Sequence, residues 1–126
     1  MPVPIHQAKA ELFRTLGHPA RIRILELLVE RDRAVHDLAE HIDIEASNLS
    51  AQLAVLRRAG LVVPRRVGHQ VEYSITVPEV RDLLTAGRRI LLVILDDQSV
   101  LRSALADEPL ADDTEVATVP AAAGHR

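Results

Sequence analysis

Apolar residues recur every three or four positions through the first sixty residues, in four stretches separated by polar or glycine-containing turns. This spacing is typical of amphipathic helices. The predicted helices cover residues 4–16, 20–30, 35–42 and 46–59. In the fourth, Leu49, Leu53 and Leu56 form one stripe that faces a core, and Gly60 is placed to end the helix. Its start is less sharply marked, because Asp43 is a better N-cap than Glu45.

The pattern changes after Gly60 to two runs rich in β-branched residues, 61–67 and 70–75, separated by Gly68-His69. Two such runs joined by two residues predict a β-hairpin. Pro64 has no backbone N–H to donate, so the first strand is expected at a sheet edge. Helical spacing returns at Pro78 and continues to about Ala106, which predicts one long final helix.

That final helix is apolar on all sides between residues 91 and 95, so both of its faces must be covered. A second copy of the chain is the simplest cover for the outer face. Residues 107–126 are acidic and then rich in alanine and proline, without a periodic stripe. We therefore expect one folded domain over residues 1–106 and a disordered tail over 107–126.

Composition narrows the fold class. A chain of 126 residues is of single-domain size, and with 48% hydrophobic but only 2% aromatic residues its core suits packed helices. The prediction is a mainly α-helical fold with a small β-hairpin. The absence of cysteine excludes disulfides, zinc ribbons and iron–sulfur sites. No signal-peptide pattern is present, and the longest apolar run, Ile90 to Leu95, is far shorter than the roughly 20 residues of a membrane span, so we expect a soluble cytoplasmic protein that contacts no membrane.

The net charge of −3 argues at first against a nucleic-acid binder, but the charges are unevenly distributed. Residues 107–126 contain five acidic residues and one arginine. Residues 46–71 contain no acid and four arginines: Arg57, Arg58, Arg65 and Arg66. Because a phosphate backbone responds to local charge, this segment could bind DNA despite the total.

The fourth predicted helix has the side chains to read DNA. If its leucines face inward, small and amide side chains face outward, which allows close approach to a major groove and pairing with base edges. These residues are Ser47, Asn48, Ser50, Ala51 and Gln52. Asn and Gln can pair bidentately with adenine. We expect Arg57 and Arg58 to lie near the DNA backbone or to form intramolecular ion pairs, and Arg65, Arg66, His69 and Gln70 to present a second contact on the hairpin.

Several stretches together resemble the ArsR/SmtB family of bacterial repressors. They are residues 16–25 (LGHPARIRIL), 35–39 (VHDLA), 47–57 (SNLSAQLAVLR), 59–62 (AGLV) and 68–75 (GHQVEYSI). The resemblance implies a winged helix-turn-helix with four helices, a hairpin and a long fifth helix. It also implies a homodimer formed through the first and last helices, which binds an inverted-repeat operator in double-stranded DNA and leaves it when an inducer binds.

The resemblance also implies where an inducing metal would bind, and this chain departs from both patterns. The thiol pair at the start of the third helix is replaced by Ala34 and His36, followed by Asp37. The positions on the last helix correspond to Val77, Glu79, Ile90 and Val93, of which three are apolar and cannot hold zinc or nickel. We therefore expect no cofactor and no high-affinity metal site.

Alternatives to this interpretation remain open. A metal-responsive repressor could use a non-standard site built on His36, Asp37 and His6, with His41 or His125 as supplements. His18 is expected to make a local hydrogen bond rather than to bind a metal. The chain could instead be a dimeric winged-helix module that binds another protein. We do not expect an enzyme, because no phosphate-binding loop, nucleophile elbow or paired carboxylate is recognisable.

Overall fold

The computed structural model describes residues 3–96 and 99–107, and this part of the chain contains six helices and three strands. In chain order they are α1 (Ile5–Leu16), α2 (Pro19–Glu30), β1 (Arg33–Ala34), α3 (Val35–His41), α4 (Ala46–Arg58), β2 (Val62–Val67), β3 (Gln70–Ile75), α5 (Glu79–Ile94) and α6 (Ser99–Ala106). The chain divides after Pro78 into two compact units. The mainly helical class with a small sheet is confirmed, and the first four helices begin and end within two residues of their predicted limits.

The core of the first unit is aliphatic and comes from three helices. The largest fully buried side chains are Ile24, Leu25, Leu27, Leu38, Leu49, Leu53 and Leu56. Each such side chain contributes roughly 1.5–3 kcal/mol of burial free energy. The three leucines of α4 all lie in this core, so the helix is held by one face, as its stripe predicted.

The end of α4 is a Schellman motif built on Gly60. Gly60 has a φ of +82°, and its N–H donates to the Arg57 carbonyl oxygen at 2.9 Å. The Leu61 N–H donates to the Leu56 carbonyl oxygen at 3.0 Å, and both of these leucines are buried. The expected stop at Gly60 is confirmed, and it turns the chain directly into the sheet.

The sheet has three strands in the order β1-β3-β2, all antiparallel. The hairpin, its two-residue loop and the edge position of the strand that carries Pro64 are confirmed, and Gly68 has the positive φ (63°) that the loop requires. The connection between the second and third helices, expected to be only a polar turn, also contains a short strand. Arg33 and Ala34 pair with Tyr73 and Glu72 as a short strand, which fixes the start of α3 to the hairpin.

The second unit contains α5 and α6, so the prediction of one continuous helix to about Ala106 was wrong. The helix ends at Ile94, and a new one begins at Ser99. The intervening Asp-Asp-Gln sequence disfavours a helix interior, because Asp side chains compete for backbone hydrogen bonds. Within the described residues, no helix is long and apolar enough to cross a membrane. The predicted disordered tail lies, from residue 108 onward, outside the described residues.

Candidate nucleic-acid interface

The face of α4 opposite its leucine stripe carries the predicted DNA-reading side chains. Ser47, Asn48, Ser50 and Ala51 are exposed, and Gln52 is half-buried. The helix begins after Glu45, whose side chain makes no capping hydrogen bond. The first-turn N–H groups are therefore open to solvent or to an anionic ligand.

An arginine of α2 reaches this face. Arg21 Nη1 donates to Gln52 Oε1 at 2.8 Å, and Gln52 Nε2 donates to Asn48 Oδ1 at 2.9 Å. The same guanidinium donates through Nε to the Thr15 carbonyl oxygen (2.6 Å) and through Nη2 to the Arg14 carbonyl oxygen (3.5 Å), both in the last turn of α1. Gln52 and Asn48 are four residues apart, a spacing that brings side chains together on a helix. Nothing in the sequence pattern pointed to Arg21.

The hairpin β2–β3, called the wing below, is fixed to the end of α4. The Thr76 hydroxyl donates to the Gly60 carbonyl oxygen, and the Thr76 N–H donates to the Leu61 carbonyl oxygen at 3.0 Å. These two bonds connect the residue that follows β3 to the residues that end α4.

The four arginines of residues 46–71 have different surroundings. Arg57 and Arg58 lie exposed in the last turn of α4, and neither forms an ion pair with any described residue. On the wing, Arg65 Nη2 lies 3.8 Å from Asp32 Oδ2, whereas Arg66 has no such carboxylate among the described residues.

The wing residues do not all face the same way. Arg65 pairs with Glu72 and Val67 with Gln70, so Arg65 and Gln70 share one side of the sheet. Arg66 pairs with Val71 and belongs to the other side, because side chains alternate along a strand. His69 is exposed in the loop between the strands. The wing therefore offers one arginine on each side rather than a pair.

The helix-turn-helix followed by a wing is matched by known proteins. A family model described as "Bacterial regulatory protein, arsR family" matches residues 18–63. The uncharacterized HTH-type transcriptional regulator Rv0081 of Mycobacterium tuberculosis is 54% identical over 96 residues, covering 75% of this chain and 84% of that protein.

This chain belongs to the ArsR/SmtB family of bacterial transcriptional regulators. The crystal structure of Rv0081 has a TM-score of 0.70 at 52% identity and covers 78% of this chain and 99% of that one. The Biofilm growth-associated repressor of Xylella fastidiosa is 39% identical over 77 residues, 61% of this chain and 68% of that protein. The homodimeric winged helix-turn-helix domain Mb0332 of Mycobacterium bovis has a TM-score of 0.65 at 28% identity and covers 75% and 87% of the two chains. The winged helix-turn-helix fold and a DNA-binding regulatory function are thereby established for this ArsR/SmtB chain, in a family of regulators rather than of enzymes.

Asp37, one of the candidate metal ligands in this ArsR/SmtB chain, lies beside two guanidinium groups and one imidazole. Its Oδ2 is 3.1 Å from Arg33 Nη1 and 3.5 Å from Arg31 Nη1, and its Oδ1 is 3.5 Å from His41 Nδ1. The His41 Nδ1 atom is also 2.9 Å from the Asp37 carbonyl oxygen. Asp37 therefore acts as an ion-pair partner, because two guanidinium groups lie against its Oδ2 atom.

The histidines are dispersed. His36 and His6 are both exposed, on α3 and α1, and His125 lies outside the described residues. His18 makes the local hydrogen bond that was expected of it: its Nδ1 accepts from the Ala20 N–H at 3.1 Å and caps α2, with Pro19 in the first turn. Within residues 3–96 and 99–107, no three His, Asp or Glu side chains come together as a metal would require.

Proposed function

We propose that this protein is a cytoplasmic, homodimeric repressor that binds an inverted-repeat operator through α4 and the wing. The observation that carries the proposal is the outer face of α4 that presents Ser47, Asn48, Ser50, Ala51 and Gln52, followed by four arginines in a segment without any acidic residue. Small and amide side chains suit base edges in a major groove, and arginines at the end of α4 and on the wing suit phosphates. Repression is supported by the relationship to the Biofilm growth-associated repressor.

Dimer formation through α1 and the last helices is supported by apolar side chains that each unit leaves exposed. Ile5 and Phe13 of α1 and Ile90 and Ile94 of α5 are large, apolar and exposed in the single chain. Homodimer interfaces are more apolar than the rest of a protein surface. The structural neighbour Mb0332 is homodimeric, which also supports a dimer of this chain. A two-fold dimer presents two recognition helices and so requires two half-sites.

The experiment is binding of the purified protein to labelled promoter fragments from its own operon, at several salt concentrations. Gln52→Ala is expected to lower discrimination between operator and scrambled DNA by about 1–3 kcal/mol. Arg66→Ala is expected to weaken binding to both DNAs equally and to reduce the salt slope by about 1. Arg65→Ala should have a smaller effect of the same kind, because Asp32 already lies close to that guanidinium.

Arg31→Ala is the matched control, since Arg31 is an exposed arginine outside α4 and the wing. Equal effects of Gln52→Ala and Arg66→Ala on both DNAs would show that the assignment of base and phosphate contacts is incorrect. If the wild-type protein gives no sequence-dependent, salt-sensitive shift at submicromolar concentration, a protein-interaction module becomes the better proposal.

We further propose that the inducing signal is not a transition metal bound at the positions the family uses. The support is that Asp37 is engaged by Arg33 and Arg31, and that Val77, Ile90 and Val93 offer no donor atoms. Titration of the full chain with zinc or nickel, followed by calorimetry, is expected to show no site tighter than micromolar. A stoichiometric nanomolar site would instead support a non-standard His/Asp centre.

A further inference from the structure

The hydrogen-bonded chain from Arg21 through Gln52 to Asn48 has a direction that chemistry imposes. A guanidinium can only donate, so the atom of the Gln52 amide that faces it must be the oxygen. The Gln52 NH₂ group is then turned toward Asn48, where it needs an acceptor. The Asn48 oxygen must face Gln52, and the Asn48 NH₂ group is left on the exposed side of α4.

Arg21 can orient the Gln52 and Asn48 amides because its own side chain is held in place. Its Nε and Nη2 donate to the Thr15 and Arg14 carbonyl oxygens, and its side chain is half-buried. Two donors of this planar group are thus directed at backbone carbonyl oxygens of α1, and the third at the Gln52 side chain. A lysine at this position would keep the charge but could not reproduce the planar fork.

We propose that Arg21 is a positioning residue for base recognition, which holds the Gln52 and Asn48 amides in one orientation so that Asn48 offers N–H donors to the DNA. This inference rests on the proposed function and names the base chemistry that the same surface reads. In the major groove, guanine presents two acceptors, N7 and O6, whereas adenine presents one acceptor and one donor. A bidentate adenine pair needs both the oxygen and the nitrogen of an amide to face the base. The Asn48 oxygen is turned toward Gln52 Nε2 at 2.9 Å, so the part of this amide that is not engaged within the protein is its NH₂ group. The base opposite Asn48 is therefore guanine in preference to adenine, which differs from the adenine pairing that residue type alone predicts.

The experiment is selection of bound sequences from an operator with randomised half-sites, using the full-length protein. Arg21→Lys is expected to reduce the guanine preference at one position of each half-site by roughly tenfold, the scale of one good side-chain–base contact. The salt slope should stay the same because the charge is kept. Arg23→Lys is the matched control: Arg23 lies on the same helix and pairs with Glu26, not with α4, so its selected sequence should equal that of the wild type.

A double-mutant cycle separates positioning from general weakening of the fold. If Arg21 acts through Asn48, then Asn48→Ala removes the same preference, and adding Arg21→Lys to it has no further effect on base choice. Additive losses of preference in the double mutant would overturn the inference. So would an unchanged selected sequence for Arg21→Lys, and in that case the proposed function would still stand.

Nitrogen-15 NMR of the protein without DNA tests the hydrogen-bonded chain itself. Arg21→Lys should shift the side-chain NH₂ signals of both Gln52 and Asn48, whereas Arg23→Lys should leave them in place. Unshifted signals in Arg21→Lys would overturn the inference without reference to DNA. A wild-type protein that selects no DNA sequence, but shows the expected NMR shifts, would instead refute the proposed function and the base-reading role together.

Discussion

Arg33 is a buried cation at the point where α2, the sheet and α3 meet. It is 4% exposed, and its Nε donates to the Leu27 carbonyl oxygen at 3.0 Å. Its Nη1 donates to Asp37 at 3.1 Å and its Nη2 to Glu30 at 2.6 Å. A buried guanidinium is tolerated when its donors are matched in this way, and its acceptors then depend on it.

Arg33→Ala is expected to destabilise the protein by about 2–4 kcal/mol, because it leaves the Leu27 carbonyl and the Asp37 carboxylate without their main donor. Urea denaturation at fixed protein concentration measures the change. Arg31→Ala is the control, since Arg31 is 63% exposed and its contact to the same carboxylate should contribute less than about 0.5 kcal/mol. Similar losses in both variants would contradict the role given to Arg33.

At the scale of single residues, the sequence predicts which side chains lie on the outer face of α4 but not which neighbours orient them. The spacing of Asn48 and Gln52 follows from helical periodicity, and so does their position opposite the leucines. Arg21 is 31 positions away from Gln52 in the chain, and Arg33 looks like one charge in a polar turn. Contacts of this range are set by how helices pack, which periodicity within one helix does not report.

Among the elements, the connection between α4 and the wing depends on the conformation of Gly60. The positive φ of Gly60 allows the Schellman motif, and the Gly60 carbonyl oxygen accepts from the Thr76 hydroxyl. No atom lies within 4 Å of the position a Cβ would occupy, so the cost of a side chain here is conformational rather than steric.

Gly60→Ala is therefore expected to lower the free energy of unfolding by about 1–2 kcal/mol. Gly60→Asn should lower it less, because asparagine tolerates the left-handed conformation. Thermal and urea denaturation of the two variants give the comparison. An alanine variant as stable as the wild type would mean that the end of α4 adopts another conformation.

The elements that the sequence predicted well are those with several periods of a pattern. The leucine stripe, Gly60 and the Gly68 loop each leave a local signal. Strand β1 is only two residues long, so it cannot show an alternation, and its pairing depends on β3 nearly forty residues later. The division between α5 and α6 was not predicted because Leu101 and Leu105 lie seven and eleven residues after Ile94, a spacing that one continuous helix would also give. The two aspartates between the helices favour a helix end.

For the whole molecule, the proposed dimer contact depends on exposed apolar residues of α1 and α5. Phe13, the single phenylalanine of the chain, is 56% exposed, and Ile94 is 68% exposed. Side chains of this size are enriched where proteins meet and are costly to leave in water.

Phe13→Glu is expected to weaken the proposed dimer at least about 100-fold while leaving the helical content unchanged, since a buried unpaired charge costs roughly 3–5 kcal/mol. Sedimentation velocity over a range of concentrations measures the association, and circular dichroism checks the fold. Ile94→Glu should have the same effect.

Val63→Glu is the control for these variants, because it adds the same charge at a 46% exposed apolar residue of the wing. A dimer that survives both Phe13→Glu and Ile94→Glu would place the contact between copies elsewhere.

The wing is attached to the helix-turn-helix at two separate points. Strand β1 joins β3 to the start of α3, and Thr76 joins the end of β3 to the end of α4. These two attachments restrict how far α4 and the wing of one protomer can tilt against each other. In the proposed dimer, a change within one protomer is therefore a poor way to release DNA. We therefore expect an inducer of the proposed repressor to change the distance between the two copies of α4. Two fluorescent labels, one on each copy of α4, should show a change in separation when the inducer binds. Two labels within one copy should show no change.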